Sequence, residues 1–391
     1  MTNVVIVDAV RTPIGRFRGA LSAIRGDHLG AHVLNALLER NGLKPDVVDD
    51  VVFGCVTQVG EQSGGVARTS LLSAGWPETI PGLTVDRKCG SSEAAVHVAA
   101  GLIAAGACDV VVAGGAESMS RVTMGLNRTI GGEAYGWRLL DRFEMGSQGE
   151  ASEKVADKWG LNRDQLDDFA IESHRRAAAA SDAGRFKNEI VPINTADWRE
   201  RDAEGEPQVV SADETIRRDT SRERLSTLKT VFRENGRSTA GNSSQISDGA
   251  AALLLMSEEK AKELGLKPRA RIVQMTSVGS DPTLMLTGPI PASRRVLQRA
   301  GMTFDEVDLF EVNEAFAPVP LAWMAETGVG HDRLNVNGGA IALGHPLGVS
   351  GARIMTTLLN ELERREGRFG LQAICCAGGM ATSTLIERIA D

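Results

Sequence analysis

Short β-branched runs alternate along the chain with longer Ala- and Leu-rich stretches of helical period, the pattern of an α/β fold. The runs predict strands over residues 4–7, 50–54, 109–113, 251–256, 271–276, 308–312 and 372–376. Helices are expected over 30–40, 91–105, 165–180, 257–264, 293–300 and 351–365. The longest near-apolar run, 94–108, is too short to cross a bilayer and is interrupted by His97. Glycine supplies 43 of the 391 residues. Its clusters follow strands, where turns and close backbone approach require it.

The pattern also repeats. Val48-Asp49-Asp50-Val51-Val52-Phe53 resembles Val307-Asp308-Leu309-Phe310-Glu311-Val312, and Leu83-Thr84-Val85-Asp86 resembles Leu334-Asn335-Val336-Asn337. Ala113-Gly114-Gly115 has a counterpart in Ala377-Gly378-Gly379, each closing a β-like run. The three pairs keep the same order, so two near-colinear halves of one fold are expected. Between them lies a stretch without strong strand runs, whose charge-dense part, 199–237, reads as solvated. We therefore expect an N-terminal half over 1–119 and 245–267, an inserted loop-rich domain over 120–244, and a C-terminal half over 268–391.

A chain of 391 residues has room for two or three domains and a packed core. Hydrophobic residues at 42% and charged residues at 24% exclude a disordered or fibrous protein. A net charge of −8 with 4% aromatics provides neither the basic footprint nor the stacking platforms of a nucleic-acid binder. An anionic ligand would need a local basic patch. Arg217, Arg218, Arg222, Arg224, Lys229 and Arg233 supply one, although a charge run is more often simply a solvated face. The cysteines, at 55, 89, 108, 375 and 376, are odd in number and unpaired in spacing, which fits a reducing compartment and not a disulfide framework. The opening MTNVVIVDAVRTP enters a β pattern without a charged-then-apolar leader, so a cytoplasmic location is expected.

Four places carry candidate chemistry. Cys89 stands where Val85-Asp86-Arg87-Lys88 passes through Gly90 into an Ala-rich helix. Unpaired N–H groups and the dipole at a helix start stabilise a thiolate, and the same groups can hold an oxyanion. A nucleophile and a small buried core residue are both open readings. His345 lies in a Gly-rich loop before Pro346. It reads as a general base toward a thiol, with a pKa suited to neutral pH, or as a loop histidine satisfied by backbone. Cys375 and Cys376 end a strand and point to opposite faces, so at most one faces a site with Cys89; the alternative is two core cysteines. Asn313 leaves a strand end, where its amide can position a water or polarise a carbonyl, or can cap a helix. No C-x-x-C or His pair accompanies Cys375 and Cys376 for a metal, and there is no G-x-G-x-x-G or P-loop for a nucleotide cofactor.

Together these segments resemble those of the thiolases, the acetyl-CoA acetyltransferases and 3-ketoacyl-CoA thiolases. The resemblance runs from VDAVRTPIGRF (7–17) through GRFKNEIVP (184–192) and TAGNSSQISDGAA (239–251) to the closing GGM…LIER. Its most specific pieces are CGSSEAA (89–95), NEAFA (313–317) and GGAIALGHPLGVSGAR (338–353). It implies duplicated βαβαβαβαββ halves in a five-layer αβαβα arrangement with an inserted loop domain, assembled as a homodimer or homotetramer. The implied activity is cleavage of 3-ketoacyl-CoA by coenzyme A, in ping-pong steps, to acetyl-CoA and a shortened acyl-CoA. Coenzyme A is then a substrate, and no cofactor or metal is permanently bound. Condensation of two acetyl-CoA is the biosynthetic alternative. A non-catalytic acyl-CoA carrier predicts the loss of Cys89, His345 or Cys375, and all three are present.

By the same resemblance Cys89 is the acylated nucleophile and His345 the base that activates it. The gapless match makes Cys375 the second, acid/base cysteine. Asn313 holds a water that forms one oxyanion hole with His345, and the backbone N–H groups of Cys89 and Ala377 form the other. Arg217 matches an adenine-side arginine and Ser244 a pantetheine contact, while Ala240, Phe316 and Met145 match residues lining the thioester channel. Two positions depart from the family. Ala377 replaces the first Gly of a glycine triplet, adding a Cβ where a positive φ is wanted. Glu144 stands where short-chain biosynthetic members carry His, which leans toward a degradative enzyme with another acyl group.

Overall fold

The computed structural model describes residues 3–390, so positions 1, 2 and 391 at the ends of the expected halves lie outside the described residues. Twelve strands are present among them: β1 (Val4–Arg11), β2 (Gly15–Arg16), β3 (Asp50–Gly54), β4 (Gly82–Val85), β5 (Val110–Ser118), β6 (Ile193–Asn194), β7 (Val209–Val210), β8 (Ser247–Ser257), β9 (Ala270–Gly279), β10 (Leu309–Val312), β11 (Phe369–Cys376) and β12 (Met380–Arg388). Ten of them form one ladder in the order β10-β11-β12-β9-β1-β8-β5-β3-β4, with β2 appended to β8. The ladder has a seam. β1 and β9 share only the pairs Val5–Arg271 and Ile6–Ala270, whereas β5 and β8 run antiparallel from Val110–Met256 to Ser118–Asp248.

The seam divides the two expected halves. The first runs β1, helix Gly26–Arg40, β3, helix Val66–Ser73, β4, helix Ser91–Ala104, β5, then β8. The second runs β9, helix Pro289–Ala300, β10, helix Pro318–Thr327, helix Ser350–Arg365, β11, β12. The place of β4 is taken in the second half by a single parallel bridge between Phe310 and Leu334. Each half is thus one βα unit shorter than the expected series. The repeated Ala-Gly-Gly segments also differ. Ala377 opens the turn between β11 and β12, but Gly114 and Gly115 lie inside β5. There the backbone must admit close neighbours: a Cβ on Gly115 would sit 2.0 Å from the Gly348 carbonyl oxygen.

Alternation of side chains along the strands builds five layers. In β5, Val110 and Val112 face Leu29, Val33, Leu34 and Leu37 of the outer helix Gly26–Arg40. Val111 and Ala113 face the opposite way, onto Val96, Ala99 and Ile103 of helix Ser91–Ala104 and Met355 and Leu358 of helix Ser350–Arg365. These two helices form the middle layer. Val296, Val319 and Trp323 cover the far face of the second half against Phe310, Leu371 and Leu385. The middle helices cross closely, because a Cβ on Gly351 would lie 2.3 Å from the Glu93 nitrogen.

Between β5 and β8 the inserted segment carries two long helices, Gln148–Lys158 and Arg163–Asp182, each opened by a capping box (Ser147 with Glu150, Asn162 with Gln165). Its root is pinned to β1, where fully buried Arg11 bonds Glu189 and Asp213 at 2.7 Å each. Among the described residues no helix is long and apolar enough to cross a membrane.

Candidate active site

Between β4 and helix Ser91–Ala104 the chain makes a tight turn. Asp86 Oδ1 accepts the Lys88 N–H at 2.8 Å, while Ser91 Oγ accepts the Arg87 N–H at 2.9 Å and donates to the Lys88 carbonyl at 2.6 Å. Lys88 is held at φ 52°, a left-handed conformation that costs energy for any residue with a Cβ. The turn sets Cys89 at the foot of the middle helix, packed among Val56, Met119, Leu347, Ile354 and Ile374. The backbone N–H groups of Cys89 and Ala377 both face its sulfur. Burial nevertheless dominates and pushes the thiol up to about 11, Glu117 adding to the rise and the two N–H groups and Lys88 opposing it. The thiolate stabilisation expected at a helix start is present but smaller than the desolvation, so the sulfur holds its proton at neutral pH and needs a base.

His345 supplies a candidate. Its backbone N–H is shared between the Gln245 carbonyl at 3.0 Å and Ser247 Oγ at 2.8 Å. Its Nδ1 lies 2.5 Å from Ser350 Oγ, which in turn lies 3.1 Å from the Pro346 carbonyl. A carbonyl only accepts, so the serine proton goes there, Nδ1–H donates to Ser350, and Nε2 is left as the acceptor. Asn313 Nδ2 reaches Nε2 at 3.3 Å. Asn313 Oδ1, also buried, has no partner among the described residues. Burial, reinforced by Arg353, lowers the imidazole to about 3. This is far below the neutral range expected of a loop histidine, and it leaves His345 uncharged at neutral pH with the Nε2 lone pair unprotonated.

β11 delivers the remaining thiols. Cys375 packs outward with Leu371, Ala373 and Ala377, while the sulfur of Cys376 meets the Gly90 N–H. The two point to opposite faces as expected, yet both lie within electrostatic reach of Cys89, and burial pushes both thiols above the ordinary range. Alternation fails to separate them because Gly90 lets the strand end rest on the helix start; a Cβ there would sit 2.7 Å from Cys376 Sγ. In the turn that follows, Gly378 and Gly379 take φ of 88° and 76°, and Ala377 does not take a positive φ. The extra Cβ of Ala377 is therefore accommodated without the strain expected of it.

Glu117, absent from the sequence reading, ties the two sides together. Its fully buried carboxylate accepts the N–H groups of Val56 (2.8 Å), Thr57 (2.9 Å) and Gly348 (2.9 Å) and the Gln62 amide (3.1 Å). Val56 and Leu347, which wall Cys89, are fixed by these bonds. Gln245 was also invisible in the sequence, since only the fold brings it to His345, and Ser350, five residues after His345, carried no role in the sequence reading.

The expected ligand contacts are gathered unevenly. Phe316 bridges to Ser243, Ser244 N–H donates to the Ala315 carbonyl at 3.0 Å, and Phe316 meets Phe232 edge-on at 5.8 Å. These residues flank Asn313 through the chain. Arg217 joins through Gln245 Oε1 at 3.4 Å. Of the five arginines in the basic patch, Arg218, Arg222, Arg224 and Arg233 pair with aspartates, and Arg217 makes no carboxylate pair among the described residues. Met145 is half-buried and Ala240 exposed in the insertion, and no described bond joins either to Cys89. Glu144 points into solvent, 75% exposed, and pairs with Lys154 at 2.8 Å.

Comparison with known proteins agrees with this architecture. Residues 4–259 match the thiolase N-terminal domain family and residues 266–388 the thiolase C-terminal domain family. The chain is 45% identical to a steroid 3-ketoacyl-CoA thiolase of Mycobacterium tuberculosis, over 100% of this chain and 95% of that one. It is 44% identical to an acetyl-CoA acetyltransferase of Allochromatium vinosum, over 99% of each, and 45% identical to a 3-ketoacyl-CoA thiolase of Klebsiella pneumoniae over the whole of both. The crystal structure of the Bacillus anthracis acetyl-CoA acetyltransferase superposes with a TM-score of 0.91 at 39% identity, covering 100% of this chain and 99% of that one. The chain belongs to the thiolase family, a family of acyltransferases.

Proposed function

We propose that the protein cleaves 3-ketoacyl-CoA by coenzyme A, with Cys89 as the acylated nucleophile. The observation that carries this reading is the convergence of the Cys89 and Ala377 N–H groups on a buried thiol that packs against Leu347, two residues after the neutral His345, with further thiols within electrostatic reach. Nε2 of His345 takes the Cys89 proton, and the sulfur attacks the ketone carbon. An oxygen on that carbon lies where the two N–H groups point. The bond between C2 and C3 breaks, the departing enolate takes a proton from Cys375, and acetyl-CoA leaves. Coenzyme A then gives its thiol proton to the Cys375 thiolate and attacks the acyl-cysteine. Cys89 recovers its proton from His345, and all protons are accounted for. Asn313, whose amide lies against Nε2, holds the water that with His345 forms the second oxyanion hole, and its contact with Nε2 supports this.

On this reading residues 120–244 form the substrate-binding insertion between halves of 1–119 with 245–267 and of 268–391, supported by the return of β8 beside β1 and β5. Arg217 serves a phosphate or the adenine side of coenzyme A; its lack of a carboxylate partner supports this. Phe316, Ser244, Met145 and Ala240 serve the pantetheine and thioester channel. All five cysteines are free, which supports a reducing, cytoplasmic setting. The outer edge of β4, with Leu83 exposed, supports pairing with a second copy in a homodimer or homotetramer. Coenzyme A-dependent thiolysis of acetoacetyl-CoA beside a medium-chain 3-ketoacyl-CoA tests the reading. A higher kcat/KM for the longer substrate supports the degradative role, and one favouring acetoacetyl-CoA moves the assignment to the biosynthetic enzyme. Inactivity on both refutes it.

A further inference from the structure

The two N–H groups at the Cys89 sulfur come from different halves of the molecule, so no short covalent path fixes their separation. One side chain bridges them. Glu93 lies on the helix that Cys89 opens and is fully buried. Its Oε2 accepts from Thr382 Oγ1 at 2.6 Å and its Oε1 from Thr384 Oγ1 at 2.5 Å. Both threonines are buried on β12, in register with Ile374 and Gln372 of β11, just beyond the turn that presents Ala377. Ile374 itself packs against Cys89. The network is closed behind Thr384: having donated to Glu93, that hydroxyl accepts from Nε2 of His97 at 2.8 Å.

Such an acid is expensive. Beyond Ser91 and Ser92 of the first turn, Glu93 stands in a helix whose other buried residues are Ala, Val and Ile, where an apolar residue would pack without penalty. Burial pushes its carboxyl up to about 7 even with both threonines bonded to it. We propose that Glu93 is a positioning residue whose bidentate grip on Thr382 and Thr384 holds the Cys89 and Ala377 N–H groups at the separation an oxyanion needs. The inference rests on the reading of Cys89 as nucleophile.

The test uses the full-length enzyme with a medium-chain 3-ketoacyl-CoA, read by steady-state kinetics and by the single-turnover rate of acyl transfer to Cys89, followed by intact mass. The variant E93L/T382V/T384V removes the grip and leaves one buried group, Nε2 of His97, without its Thr384 partner, so its melting temperature should fall no further than that of Thr384→Val alone, which strands the same nitrogen. Its kcat and acylation rate should fall at least about tenfold, within what loss of an oxyanion donor costs, with KM within about threefold. Glu93→Gln should restore both rates to within about threefold of the unmodified protein, because an amide accepts from one threonine and donates to the other. A stable triple variant with unchanged acylation overturns the proposal. So does a Glu93→Gln variant as slow as the triple, which would assign the effect to charge. If the unmodified protein gains no acyl group on Cys89, the underlying reading fails instead, and the two failures are distinguished.

Discussion

Replacing Ser350 by alanine perturbs the base without touching a substrate-facing surface. Ser350 is the first residue of helix Ser350–Arg365, fully buried, with its Oγ 2.5 Å from Nδ1 of His345. The change removes one oxygen and leaves Nδ1 without its acceptor. An unsatisfied buried polar group costs about 1–3 kcal/mol. The same amount is withdrawn from the tautomer that keeps Nε2 free, so the form unable to accept from Cys89 gains. If the whole loss falls on the transition state, kcat drops by about fivefold to about 150-fold. KM should stay within about threefold, since uniform binding is untouched. The assay is thiolysis followed by loss of the 3-ketoacyl-CoA enolate absorbance, with a thermal melt alongside. A variant with kcat within about twofold of the unmodified protein, a change under about 0.4 kcal/mol, together with an unchanged melt, refutes the assignment of the proton to Nδ1.

Cys89→Ala should abolish the acyl-enzyme, whereas Cys375→Ala should gain the acyl mass and stall before turnover. Cys376→Ala should turn over within about threefold of normal; stalling there instead would transfer the role of second thiol to Cys376. Gly379→Ala places a Cβ at φ 76° and 2.6 Å from the Pro282 Cα. The conformation alone costs about 1–2 kcal/mol, so the melting temperature should fall, and an unchanged melt would show that the turn relaxes. His174 accepts the Arg217 N–H at 3.0 Å, and burial, with Arg217 adding, lowers it to about 4. Its folded pKa lies below the unfolded value of about 6.5, so its neutral form contributes fully above that value, and the contribution is lost as pH falls toward 4. The melting advantage over His174→Gln should therefore narrow between pH 7 and 4, and a constant gap counts against the buried neutral form.

The strand 50–54 and the helix beginning at Ser91 were legible because apolar periodicity and burial agree there. β12 was not. Thr382, Ser383 and Thr384 show no apolar alternation and no strand was expected there, yet all three are fully buried, since Glu93 and the Gln372 carbonyl satisfy their hydroxyls. β1 was expected over 4–7 and runs on to Arg11, whose charge is neutralised by residues about 180 to 200 positions away. In the site, Cys89, His345 and Asn313 announced themselves by their glycine-rich or strand-end settings. Glu117 and Gln245 have no such local signature, because each acts through a contact between distant segments, and Ser350, five residues after His345, meets it only through the turn into helix Ser350–Arg365. The pKa values were illegible for the same reason: a helix start argues for a low cysteine pKa, and only the packing around Cys89 shows that desolvation prevails.

Arg11 also fixes how the insertion sits on the core. Its guanidinium is wholly enclosed, bonded to Glu189 and Asp213 from the base of the insertion, while Ile14 N–H donates to the same aspartate at 2.8 Å and Val191 N–H to the Arg11 carbonyl at 2.8 Å. Swinging the insertion away as a lid would strand that cation in an apolar setting, at about 3–5 kcal/mol for a broken buried pair. The insertion and core therefore travel as one body, with no hinge at this root. On the proposed function, a coenzyme A thioester then enters and leaves without a swing of the insertion about this root.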